Sequence, residues 1–68
     1  MKVNYTEDLD ELWTINDVCD YFKIERRKAY KLFDISTFPG FKIGKEYRVP
    51  KRLLLKWVVE NFGKTIHI

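Results

Sequence analysis

The sequence predicts a small α+β fold, mostly helical: two short helices joined by a tight turn, a two-stranded hairpin, and a C-terminal helix. Three observations carry this reading. Apolar residues recur at helical spacing over 15–22, 29–33 and 54–62; apolar and basic residues alternate on either side of Gly44; and about three residues separate the first helix from the second, which begins at about 26. With 68 residues the chain makes one domain, and a domain of this size buries only about 60% of the surface its unfolded chain exposes, leaving roughly 3–5 kcal/mol of net stability. Most enzymes with an internal cleft are excluded on size. Cys19 is the single cysteine, so no internal disulfide forms, and no Cys/His cluster is available to hold a structural metal. Folding rests on aliphatic and aromatic packing. The N-terminus lacks the apolar stretch of a signal peptide and the longest aliphatic run is Leu53-Leu54-Leu55, which predicts a soluble, cytoplasmic protein with no membrane partner.

The chain divides into an acidic N-terminal arm (1–11), a compact domain (12–63) and a short tail (64–68). In the arm, Thr6 followed by Glu7 and Asp8 suits a short helix at about 7–12. Thr14 with Asp17 three residues on approximates a capping box, flanked by Trp13 and Val18 at the staple positions, so a helix begins at Ile15. Its apolar stripe is Ile15, Val18, Cys19 and Phe22, and it ends near Lys23. Ile24 is the apolar plug of the turn. A second helix at about 26–34 places Ala29, Leu32 and Phe33 on one face. Ser36, Thr37, Pro39 and Gly40 then break the helical period. Phe41-Lys42-Ile43 and Tyr47-Arg48-Val49 read as strands around a Gly44-Lys45-Glu46 loop. Pro50 suits the first position of the last helix, Leu54, Trp57, Val58 and Phe62 mark its core face, and Gly63 stops it.

Charge is distributed unevenly. Residues 1–11 carry four acids against Lys2, a local charge of −3, whereas residues 23–56 carry eleven basic residues against three acidic ones, a local charge of +8. The middle of the chain therefore calls for an anionic partner, nucleic acid among the candidates, and placement on secondary structure decides. When two helices are joined by a tight turn in a helix-turn-helix, the second lies in the major groove. The face opposite Ala29, Leu32 and Phe33 holds Arg27, Lys31, Tyr30 and Asp34, with Arg26 and Lys28 at its flanks. An arginine fork spans the O6 and N7 of guanine, which points to Arg27 and Lys31 for base edges and to Arg26, Lys28 and Tyr30 for backbone or mixed contacts. Asp34 sits near the end of this helix and is read as a solvent contact. The hairpin offers Lys42, Lys45 and Arg48, with Lys45 at its tip, as a wing along the backbone or in the minor groove. Lys51 and Arg52 oppose the dipole of the last helix, so a phosphate contact is expected of them.

No catalytic constellation is present and no cofactor is implied. His67 has no placed partner, Cys19 faces inward, and neither a Gly-rich phosphate loop nor a carboxylate pair appears. Trp13 and Trp57 read as core. Leu53, Leu55 and Val59 are an apolar surplus on the last helix, to be covered by the N-terminal arm, by the Ile66–Ile68 tail, or by another protein.

From Leu12 to about Phe62, some three quarters of the chain, the sequence resembles the MerR-like winged helix-turn-helix domain of small excisionase-family DNA-binding proteins. The resemblance is carried by Trp13-Thr14, Asp17 and Cys19; by Ile24, Tyr30 and Leu32; by Phe38-Pro39; and by Phe41-Lys42-Ile43-Gly44-Lys45, Tyr47-Arg48-Val49, Leu54 and Trp57-Val58. Two positions depart from the pattern. Glu25 precedes the second helix where the family has Ser or Thr, and Ser36 follows it where the family has glycine. The resemblance implies a winged helix-turn-helix encoded by bacteria, phages or mobile elements that binds tandem duplex sites, bends DNA and assists an integrase without chemistry. It leaves a small transcriptional regulator close behind. A third reading is a non-catalytic subunit of a replication or recombination complex that uses Leu53, Leu55 and Val59 against a protein and binds single strands. MerR regulators proper carry a coiled coil and an effector domain, for which this chain ends too early, so no small-molecule effector is expected. Self-association on DNA would compensate for weak binding by one small domain.

Overall fold

The computed structural model describes residues 11–68, so residues 7–10 of the expected arm helix lie outside it. Six elements follow one another: β1 (Leu12–Trp13), α1 (Ile15–Phe22), α2 (Arg26–Leu32), β2 (Phe41–Ile43), β3 (Glu46–Pro50) and α3 (Lys51–Glu60). This is the mostly helical α+β order that the sequence predicts, with one added strand. The sheet has the order β1-β3-β2, antiparallel throughout, with Leu12 opposite Pro50, Trp13 opposite Val49, and Phe41, Lys42 and Ile43 opposite Arg48, Tyr47 and Glu46.

α1 starts where its cap dictates. The Asp17 amide donates to Thr14 Oγ1 at 3.3 Å and the Thr14 amide donates to Asp17 Oδ2 at 3.0 Å, so two amides that a helix start leaves unpaired are satisfied reciprocally. Thr14→Ala is expected to cost about 1 kcal/mol, read as a lower urea midpoint at unchanged slope. The helix closes at Lys23, whose left-handed backbone (φ 60°) lets the Ile24 amide reach the Cys19 carbonyl at 3.2 Å. Three residues later α2 begins behind Glu25, which makes no side-chain cap.

Leu54, Val18 and Val49 are the largest fully buried side chains, and Ile15, Ala29, Leu32, Phe38 and Trp57 complete the core. Trp13, Cys19, Phe22, Ile24, Phe33 and Val58 are half-buried around it. An aromatic chain crosses the molecule edge to face: Tyr30 on Tyr47 at 5.1 Å, Tyr47 on Phe33 at 5.0 Å, Phe33 on Phe38 at 4.8 Å and Phe38 on Trp57 at 5.0 Å. The Trp57 indole N–H donates to Thr37 Oγ1 at 3.1 Å, which satisfies the one polar atom this buried ring carries. A Cβ at Gly40 would stand 2.3 Å from the Phe33 ring, so that stacking depends on glycine there.

Several sequence expectations shift in detail. Leu12, assigned to the arm helix, lies instead in β1, because its neighbour β3 has an edge to offer. α2 ends at Leu32 rather than at 34, and the chain continues in tighter turns, with amides of Phe33, Asp34 and Ile35 bonded to the carbonyls three residues back. The hairpin turn is two residues, not three. Ile43 pairs with Glu46, and only Gly44 has positive φ (63°), the pattern of a type II′ turn. Pro50 is the last residue of β3 and the N-cap of α3 rather than its first turn, held extended by pairing with Leu12. Phe62 is not core: it is 84% exposed. The helix stops two residues before it, where Asn61 Nδ2 caps the Trp57 carbonyl at 2.8 Å, and Gly63 turns left-handed (φ 86°) beyond it. Ile66 and Ile68 fold back on the core, lining with Phe22, Ile24, Leu32 and Trp57 an apolar cavity of about 190 Å³. His67 between them is exposed.

Candidate nucleic-acid interface

β1 pairs only with Val49 and Pro50, leaving the same edge of β3 open at Glu46–Arg48. A cleft of about 300 Å³ opens there. Its walls are the first turn of α1 at Thr14, Ile15 and Asn16, the wing residues from Lys45 to Arg48, and Arg26 with Tyr30 from α2. Arg26 and Tyr30 are four residues apart, so both look toward the wing from one face of α2. Arg26 donates through Nη1 to Asn16 Oδ1, has Nη2 3.4 Å from the Tyr30 hydroxyl, and sits 5.9 Å from the centre of that ring. Tyr30 is held by the Tyr47 ring and stays 39% exposed.

Arg27 and Lys31, also four apart, stand outside the cleft on the solvent side of α2, and Lys28 is exposed as well. Arg27 Nη2 lies 3.8 Å from Glu25 Oε1, with both side chains largely in water at 78% and 62% exposure. A pair so exposed is worth well under about 1 kcal/mol, and Arg27 remains available to a stronger anion. Asp34 is exposed just past the end of the helix.

On the wing, Lys45 occupies the turn beside Gly44 and is exposed. Lys42 projects its ammonium over the Tyr47 ring at 5.0 Å, on the opposite face of the hairpin from Phe41 and Ile43. Arg48 is more committed: Nη2 donates to Glu46 Oε1 at 2.7 Å and Nη1 to the Tyr47 carbonyl at 2.8 Å, and its side chain is 28% exposed. Lys51 and Arg52 lie at the other end of β3 from the wing turn; Lys51 places its ammonium 5.9 Å from the centre of the Trp13 ring.

The structure thus gathers Arg26, Tyr30, Lys45 and Arg48 around one cleft, sets Arg27, Lys28 and Lys31 on the helix beside it, and leaves Lys51 and Arg52 apart. Sequence reasoning missed Asn16 and Glu46. Asn16 lies ten residues from its Arg26 partner, a distance no local pattern spans, whereas the Glu46–Arg48 spacing of two on one strand was a readable signal. Of the apolar surplus, Leu53 is 38% exposed, Leu55 half-buried and Val59 71% exposed. Among the described residues no group of three or more His, Cys, Asp or Glu could hold a metal ion, and no helix is long and apolar enough to cross a membrane.

A family model described as a helix-turn-helix domain matches residues 14–61, from the capping threonine of α1 to the capping asparagine of α3. Comparison with curated proteins and with solved structures gave no match.

Proposed function

Because the chain belongs to the helix-turn-helix domain family, we propose that it is a sequence-specific double-stranded DNA-binding protein. The winged helix-turn-helix architecture is consistent with DNA binding in general. The observation that carries the finer reading is the pairing of Arg27 and Lys31 on the open face of α2 beside a cleft that the wing lines with further cations. In this reading α2 enters the major groove, Arg27 and Lys31 meet base edges, and Arg26, Lys28 and Tyr30 hold the flanking backbone. Lys42, Lys45 and Arg48 extend the contact along the wing. Lys51 and Arg52 contribute phosphate contacts only where the duplex bends toward α3.

The process we infer is that of an excisionase-like architectural factor of a mobile element, supported by the order of motifs from Trp13-Thr14 to Trp57-Val58. A small transcriptional regulator would use the same surface, and a bend in the bound duplex, measured by gel mobility of circularly permuted sites, favours the architectural role. The test of the reading itself is binding to a duplex and to each of its single strands, taken from around the coding gene, over a range of salt. Preference for the duplex is expected, resistant to competitor DNA, with a log–log salt slope of about −5 from five or six neutralised phosphates. Equal or tighter binding to single strands, or binding indifferent to salt, would overturn it.

A further inference from the structure

The outer side of α3 carries apolar residues that the described residues leave partly or largely uncovered. Leu55 is half-buried, Val59 is 71% exposed and Phe62 is 84% exposed. Leu55 and Val59 are four residues apart, and the Phe62 amide bonds the Val59 carbonyl at 3.2 Å, so the three follow one another along one side. Arg52 and Lys56, seven and three residues before Val59, border the same side and are exposed. It is a greasy strip edged with positive charge.

β1 brings a matching segment to its start. Pairing of Leu12 with Pro50 is antiparallel, and the Lys51 amide donates to the Glu11 carbonyl at 3.0 Å, so Glu11, the first described residue, stands beside the first turn of α3. Residues 1–10 contain Val3, Tyr5 and Leu9 as apolar groups and Glu7, Asp8 and Asp10 as acids. Ten extended residues reach about 33 Å, while a helix of ten residues is about 15 Å long. Length therefore sets no obstacle, and the segment's charge, three acids against Lys2, is opposite in sign to Arg52 and Lys56.

We propose that residues 1–10 dock along the outer face of α3, covering Leu55, Val59 and Phe62 with Val3, Tyr5 and Leu9 and setting Glu7, Asp8 and Asp10 against Arg52 and Lys56. The arm then hides an apolar strip and removes two cations from the pool available to DNA. The inference does not rest on the DNA-binding reading; the two surfaces share only Arg52, whose phosphate contact the docked arm withholds.

Amide hydrogen exchange on the full chain tests it, comparing wild type with the double variant Val59→Asp, Phe62→Asp. Both positions are exposed, so the core is untouched, and exchange within α1 reports that the fold survives. In the wild type the amides of residues 3–9 should exchange at least about tenfold more slowly than those of an unstructured peptide, and the double variant should lose that protection. Tyr5→Asp with Leu9→Asp should lose it equally. Exchange at the free-peptide rate in the wild type overturns the proposal. So does protection that survives in Val59→Asp, Phe62→Asp, or that disappears on dilution together with a dimer seen by sedimentation, which would make a second copy the occupant.

Discussion

Reversing both charges in Arg27→Glu, Lys31→Glu is expected to abolish duplex binding under conditions where the wild type binds. A well-placed side chain on a base edge discriminates by about 1–3 kcal/mol. Two of them together amount to roughly 2–6 kcal/mol, or about 30-fold to 10⁴-fold in affinity at 1.4 kcal/mol per decade. The salt slope should also become shallower, because two groups that now repel phosphate no longer help displace counterions. Fluorescence anisotropy on a labelled duplex reads both quantities, and far-UV circular dichroism confirms the fold, which is expected intact since Ala29 and Leu32, not these residues, anchor α2 in the core. Arg26→Ala should behave differently. Its guanidinium is tied to Asn16 and stacked by Tyr30, so its loss should weaken binding to all duplexes alike and leave the preferred sequence unchanged. Binding unaffected by the double reversal would remove α2 from the groove altogether.

What could be read from the sequence was whatever depends on near neighbours. The Thr14–Asp17 cap, the three-residue turn with Ile24 in it, and the glycine that starts the wing turn each follow from residues within four positions of one another, and each appears in the structure. β1 was not legible. Two residues have no period, and Leu12–Trp13 is extended only because β3 presents an unpaired edge. Trp13, a staple candidate by its spacing, packs against the core cluster that includes Val18, but its strand pairing opposite Val49 and its contact with the Tyr21 ring at 5.3 Å had no local signal. Phe62 failed for the opposite reason: its spacing continues the apolar stripe of α3, but Asn61 and Gly63 end the helix before the stripe does. In the candidate interface, Arg27 and Lys31 stand on the open side of α2, as helical spacing places them. The engagement of Arg26 by Asn16 needed the angle between α1 and α2, which sequence does not contain.

The same contrast yields the largest expected change in stability, on a single helix. Leu54 has no exposed surface and belongs to the cluster that includes Val18, Val49 and Trp57. Truncation of such a leucine to alanine costs about 2–5 kcal/mol, the removed methyl groups and the cavity left behind both contributing. Net stability of a domain this small is roughly 3–5 kcal/mol, so Leu54→Ala should leave a large unfolded fraction at 37 °C, seen as a urea transition moved to near-zero denaturant. Phe62→Ala removes a larger side chain eight residues on, yet that ring is 84% exposed, and the transition should move by no more than about 0.5 kcal/mol if nothing covers it. A larger loss at Phe62 has a specific meaning, because the core has no access to that ring. It would measure the contact made from outside, and comparison with a chain lacking residues 1–10 assigns it: if the N-terminal arm supplies the contact, Phe62→Ala costs the shortened chain nothing.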